Sequence, residues 1–200
     1  MKEKPLTISH SVATHYFEDA RDFSSRFDIL WENKLHKTGR IKSFIDLMMG
    51  CECILKAHIF IGRSNEDINA LYRNVRNKGH RIDLLADYSN YLTDKTIYRK
   101  LKTELGGFSV FFRYSLDAYE TFFPSALDWE DSEINYSETI GNSHWVSNLR
   151  ENLAKLIDII SPEFTGFVTS DIRIILEHEE QMEFFAQNHI RKGTTRNQKE

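Results

Sequence analysis

Little in this 200-residue chain breaks or staples a backbone: it has 3 Pro, 9 Gly and 2 Cys. That scarcity excludes collagen-like and Pro-rich low-complexity structure. Cys51 and Cys53 stand two apart in an apolar segment, and on a helix they would point about 200° from each other. Such a pair suits neither an intrahelical disulfide nor a zinc site lacking further cysteines. Long uninterrupted apolar runs are missing too. The most hydrophobic stretch, Ile41 to Ile61, carries Lys42, Asp46, Glu52, Lys56 and His58, and so reads as a buried helix rather than a membrane span. The charged start Met1 to Pro5 is not followed by the apolar region of a secretory leader, so a cytoplasmic location without membrane association is expected. There is no glycine-rich phosphate loop, no internal repeat and no period-two alternation rich in Val and Thr. His10, His15, His36, His58, His144 and His189 show no ligand spacing, so no metal and no cofactor are expected.

What is present suffices for a core without disulfides. Hydrophobic residues make up 40% of the chain, with 14 Phe and 8 Tyr, and charged residues 28%; this excludes a wholly disordered chain and fits a soluble globular protein. The formal charge of −4 excludes affinity for nucleic acid spread over the whole surface, so any such site is local.

Apolar residues recur at helical spacing almost throughout, which predicts an all-α fold. Phe17, Ala20, Phe23, Phe27, Leu30 and Trp31 mark a first helix from Thr14 to Leu35. Phe44, Ile45, Met48, Cys51, Leu55 and Ile59 mark a second from Ile41 to Ile61. Ser64 to Asp67 reads as a capping-box variant opening a short helix with Ile68, Leu71 and Val75, ended by a left-handed Gly79. His80 opens another short helix with Ile82, Leu85 and Tyr88, and Thr93 or Asp94 caps one that runs to Leu105. Gly106 and Gly107 precede an apolar helix from Phe108 to Phe123, closed by Pro124. The expected organisation is a helical core over 1–124, an acidic connecting loop over 125–143, a C-terminal helical pair over 144–189 packed on the core, and a flexible tail over 190–200. In the pair, helices from Trp145 to Ile160 and from Thr169 to Asn188 flank a turn at Pro162 and Gly166.

Charge is uneven. From Arg73 to Lys102 there are 8 Lys and Arg against 3 Asp, whereas Asp117 to Glu138 holds 7 acids and no Lys or Arg. Two solvated faces of opposite sign are one reading. The other is a phosphate-facing patch that includes Arg76, Lys78, Arg81, Arg99 and Lys100.

The segment Met49-Gly50-Cys51-Glu52-Cys53-Ile54-Leu55-Lys56-Ala57, followed by Gly79-His80-Arg81-Ile82-Asp83-Leu84-Leu85 and by Phe112-Arg113-Tyr114-Ser115, resembles the HEPN superfamily of helical domains. The resemblance spans Phe17 to Pro124 and implies an up-and-down helical bundle of HEPN type, to which the C-terminal pair is an addition. It further implies a homodimer and, in many members, a metal-independent ribonuclease acting as a toxin or antiphage effector, with RNA as substrate and an antitoxin or other protein as partner. The implied active site is an Arg followed by four to six residues and a His. Arg offers a planar fork of donors to phosphate, and His moves protons near neutrality.

Two pairs have such spacing. Arg73 and His80 are separated by six residues and lie within the resembling region; Arg173 and His178 are separated by four and lie outside it. On a continuous helix the first pair would fall within about 20° of one face and the second about 140° apart. Arg113 has no His within six residues, although Tyr119 follows. Glu52, Lys56, Arg113 and Tyr119 would line a polar groove, in which Glu52 and Lys56 form an i,i+4 ion pair and Arg113 pairs with Glu52 across the bundle. Phe108, Phe111, Phe112, Tyr119, Phe122 and Phe123 read as core rather than a base-stacking platform. The imperfect Arg/His pairing leaves a second functional class open: a non-catalytic HEPN-like interaction module that binds a partner protein or a nucleotide-bearing ligand.

Overall fold

The computed structural model describes residues 4–33, 36–113, 121–122 and 134–189, with Phe111 and Arg113 described in backbone alone. It is all-helical among these residues: α1 (Ile8–Glu32), α2 (Lys37–Gly62), α3 (Ile68–Lys78), α4 (Ile82–Tyr88), α5 (Thr96–Leu105), a 3₁₀ turn (Val110–Arg113), α6 (Ser143–Phe164) and α7 (Ile172–His189).

α2 is the central element. Its apolar residues occur on every side, and it is buried almost all round, with Phe44, Leu47, Met48, Ile54, Leu55, Ile59 and Phe60 inaccessible to solvent. A helix of that kind needs neighbours on all faces. α1 runs antiparallel to it: the Ser9 hydroxyl donates to the Phe60 carbonyl at 2.8 Å, and Arg26 pairs with Asp46 at 3.0 Å. α6 closes the other side, parallel to α2 and antiparallel to α1. Phe44 meets Trp145 and His58 meets Leu156, whereas Phe17 stacks on Phe164 and Asp28 accepts both ends of the Arg150 fork. Where α6 crosses α2, Gly50 permits the approach, because a Cβ there would lie 2.8 Å from Leu153 Cδ2.

Several boundaries differ from the sequence expectation. α1 begins at Ile8, nearly two turns before Thr14, with Thr7 as its N-cap accepting from the His10 N–H; the added residues mix polar and apolar types, and the polar Ser9 and His10 are buried along with Val12 and Ala13. α3 is capped by Asp67, whose carboxylate accepts from the Ala70 N–H at 2.8 Å, not by Ser64. Lys95, not Thr93 or Asp94, is the N-cap of α5, while Asp94 accepts from both the N–H and the hydroxyl of Thr96. Pro162 does not mark a turn but lies inside the last turn of α6; its ring removes one hydrogen bond, to the Asp158 carbonyl, while burial of Ile160 and Phe164 carries the helix past it. Residues 110–113 form a 3₁₀ turn rather than the start of an α-helix, and half of the expected helix to Phe123, residues 114–120 and 123, lies outside the described residues. So do residues 125–133 of the acidic loop and the tail 190–200. Residues 136–141 form a turn that buries Ile140. α6 shares one continuous core with α1 and α2, whereas α7 buries only Phe185. Among the described residues no helix is long and apolar enough to cross a membrane.

Candidate functional site

α2 presents Glu52 and Lys56 one turn apart, and between the end of α3 at Lys78 and the start of α4 at Ile82 the chain must turn. The turn is made at Gly79, whose φ of +58° is strained for any residue bearing a Cβ. It returns His80 to α2. There Glu52, only 2% exposed, has both carboxylate oxygens occupied. Lys56 Nζ donates to Oε1 at 2.5 Å, and His80 Nδ1 lies 2.9 Å from Oε2. A carboxylate buried without such partners would cost several kcal/mol, so the two donors hold it in place.

An ionised carboxylate only accepts, so His80 donates through Nδ1–H, and in a neutral imidazole so held the lone pair is on Nε2. Nε2 has no partner among the described residues, and the imidazole is 56% exposed. It borders a cavity of about 320 Å³ that is also lined by Tyr16, Lys56, Tyr72, Val75 and Arg76. The Lys56 ammonium lies 5.3 Å from the centroid of the Tyr16 ring. Burial, reinforced by Tyr72, Cys53, Glu52 and Asp19, raises the Tyr16 phenol above its ordinary range, so at neutral pH it keeps its proton and can donate it to an anion. On the rim, Arg76 Nη1 donates to the His189 carbonyl at 2.6 Å, at the end of α7.

The other sequence candidates fall elsewhere. Arg73 is exposed, does not line the cavity and has no partner among the described residues; Arg76, one turn further on, stands there in its place. Lys78 lies over the Tyr88 ring at 4.5 Å. Arg81 is exposed and forked onto Asp83 at 2.9 and 2.6 Å, which raises the guanidinium and lowers the carboxyl. Arg99 is exposed, and Lys100 borders a different groove, between α5 and α6. With Lys102 tied to Asp87 at 2.6 Å, the basic block of the sequence is divided among several places and partly neutralised. Arg173 is exposed beside Asp171. His178 instead reaches α1, where its Nε2 lies 2.8 Å from the Ser11 hydroxyl, and burial holds its pKa below the ordinary histidine range. These two are not brought together. Tyr119 and the Arg113 side chain lie outside the described residues, so the proposed Arg113–Glu52 pair does too. Tyr16 and Tyr72 were not among the sequence candidates; as helical aromatics they carry the same signature as core residues.

Elsewhere, buried titratable groups are structural. His58 is wholly buried, with Nε2–H donating to the Leu156 carbonyl at 3.0 Å and Nδ1 accepting from the Tyr98 hydroxyl at 2.6 Å. Burial pushes its pKa down to about 4. Burial likewise pushes the thiols of Cys51 and Cys53 up to about 12, so neither is a nucleophile near neutrality. Among the described residues, no three of His, Cys, Asp and Glu converge as a metal site. Comparison of the chain with protein-family models, curated proteins and solved structures finds no match.

Proposed function

We propose that this chain is a HEPN-type, metal-independent endoribonuclease, a toxin or antiphage effector acting in the cytoplasm as a homodimer. The observation that supports this reading best is the His80 imidazole, fixed through Nδ1 to buried Glu52 with Nε2 on a cavity bearing Lys56 and Arg76. That is the equipment for phosphodiester transfer within RNA: one proton acceptor and two cations for the phosphate. In the proposed step the ribose 2′-oxygen attacks phosphorus while its proton passes to His80 Nε2. The P–O5′ bond breaks as the P–O2′ bond forms, and the departing 5′-oxygen takes a proton from a second acid. Tyr16 is one such acid; the His80 of a second copy is another. Glu52 is a positioning residue that sets the tautomer of His80.

Incubation of the intact chain with varied single-stranded RNAs in the presence of a chelator tests this. The expected products end in 2′,3′-cyclic phosphate. His80→Ala removes cleavage and leaves binding largely intact, Arg76→Ala weakens both, and Arg73→Ala, outside the cavity, changes neither. Loss of cleavage with Arg73→Ala but not with Arg76→Ala would overturn the assignment of Arg76. Sedimentation that finds only a 23.5 kDa monomer at micromolar concentration counts against the dimer.

One observation favours the second class. Arg76 already donates to the end of α7, and Lys56 is already spent on Glu52; both commitments suit a rigid interaction module better than a catalyst. Absence of cleavage on every RNA tried, by a folded dimer that still captures an antitoxin-like protein or a nucleotide-bearing ligand, selects that reading.

A further inference from the structure

α7 stands beside the cavity at His80 without lining it, and reaches it through two residues of α3. Its one buried side chain, Phe185, meets the Tyr72 ring edge-on, and the carbonyl of its last residue, His189, accepts from Arg76 Nη1 at 2.6 Å. Tyr72 and Arg76 line the cavity, and no residue of α7 does. The His189 carbonyl lies at the negative end of the helix dipole, so it offers the guanidinium a partner of the same sign as a phosphate. Docked α7 thus competes for the cation that a phosphate at His80 would use.

The docked position is lightly held. Ile172, Leu176 and Phe184 stay exposed. α7 is joined to α1 by the Ser11 hydroxyl and His178 Nε2 at 2.8 Å, and to α3 by His189 Nε2–H donating to Asn69 Oδ1 at 2.7 Å. The first of these bonds carries a cost. His178 Nδ1 is buried without a hydrogen-bond partner, so whichever ring nitrogen bears the proton, docking strips one nitrogen of water. Only one other buried side-chain atom among the described residues is so placed, Nδ2 of Asn152. Undocking returns the His178 nitrogen to water.

The chain also supplies a place to turn. After α6 the Phe167 carbonyl accepts from the Lys4 N–H at 2.9 Å, and Val168 to Asp171 then lead into α7 outside any helix. Beyond that anchor α7 can swing while α1 to α6 keep their packing.

We propose that α7 is an autoinhibitory strap hinged at Val168 to Asp171: docked, it holds Arg76 on the His189 carbonyl, and released, it yields Arg76 to a phosphate of the RNA strand at His80. The proposal rests on the ribonuclease reading for its substrate, and on the contacts of α7 alone for the strap.

The full chain carrying Asn69→Cys and His189→Cys tests it, since neither residue lines the cavity and the pair removes the bond between them. Left free, this variant loosens α7; joined by a short bis-maleimide with a reducible centre, it clamps α7 down, and reductant frees it again. Cys51 and Cys53 are buried and do not compete. One readout is cleavage of single-stranded RNA in the presence of a chelator. The other, which needs no RNA, is modification of Arg76 by phenylglyoxal relative to exposed Arg73 on the same helix. In the free form both should rise by roughly fivefold over the native chain, the factor carried by one side-chain hydrogen bond. In the linked form both should fall below the native value and recover with reductant. Should the double variant fail to fold, Ser11→Ala, which loosens α7 from α1, should raise both by a smaller factor. Equal Arg76 modification in the linked and freed forms would overturn the strap, whether or not RNA is cut. Equal cleavage in the two forms would overturn the inhibition. Arg76 modification that responds to the link while no form cuts any RNA would support the strap and overturn the ribonuclease reading.

Discussion

α6 and α7 follow one another along the chain and are both rich in apolar residues, yet they end in opposite situations. α6 buries Val146, Leu149, Leu153, Leu156, Ile160 and Phe164 against α1 and α2, whereas α7 buries Phe185 and leaves Ile172, Ile174, Leu176 and Phe184 exposed, the last by 68%. The difference lies in arrangement, not content. The apolar residues of α6 recur every three or four positions and form one stripe. Those at the start of α7, at 172, 174, 175 and 176, spread around the helix, so no neighbour could cover them all. α7 is therefore held chiefly by particular contacts: Ser11 with His178, Tyr72 edge-on to Phe185, Asn69 with His189, and Arg76 with the His189 carbonyl. Two of these residues, Tyr72 and Arg76, also line the cavity at His80, so the least buried helix is fastened to the candidate site.

The sharpest way to break this contrast is to truncate both helices. Leu153→Ala should cost about 2–5 kcal/mol in denaturant unfolding, since it empties a fully packed position; a loss below 1 kcal/mol would show that α6 is not core. Acid is next. His58 links α2 to α6 through the Leu156 carbonyl, and its folded pKa of about 4 lies below the ordinary 6.5. The unfolded chain takes up that proton more readily. The stability contributed by neutral His58 is thus complete above pH 6.5 and is lost as pH falls toward 4, by about 3 kcal/mol in all. His58→Gln should flatten that window in a series of unfolding curves.

Gly50→Ala should destabilise by about 1–3 kcal/mol despite alanine's better helix propensity, because its Cβ would meet Leu153; a gain in stability would mean that α6 can shift on α2. Ser11→Ala, which removes the bond to His178, should cost about 1 kcal/mol and speed amide exchange in α7 while leaving α6 protected. Smallest of all, Phe184→Ser should change stability by no more than about 0.5 kcal/mol.

The helical periodicity of Phe44, Met48, Leu55 and of Val146 to Ile160 made the all-α class and the central burial of α2 legible, because burial repeats where the stripe repeats. Boundaries were less legible: Ser9 and His10 are polar residues whose burial depends on α2 and α6, partners that no local pattern announces. At the candidate site, the Glu52–Lys56 pair followed from i,i+4 spacing and the Gly79 turn from its residue type. That His80 would return to Glu52, and that Arg76 rather than Arg73 would face it, depends on the angle at which α3 leaves that turn. The His58–Tyr98 bond and the stranded amide of Asn152 involve residues 40 or more positions from their neighbours, beyond the reach of any window along the chain.

Cys51 and Cys53 give this molecule an internal clock. With both thiols enclosed by the α1–α2–α6 core and their acidity suppressed, an alkylating reagent can reach them only when that core opens. Labelling rates followed by mass spectrometry would time global opening, and the fraying of α7 would leave them untouched. Cysteines placed at Leu176 and at Lys155 would react at once, setting the exposed reference against which the two native thiols are read.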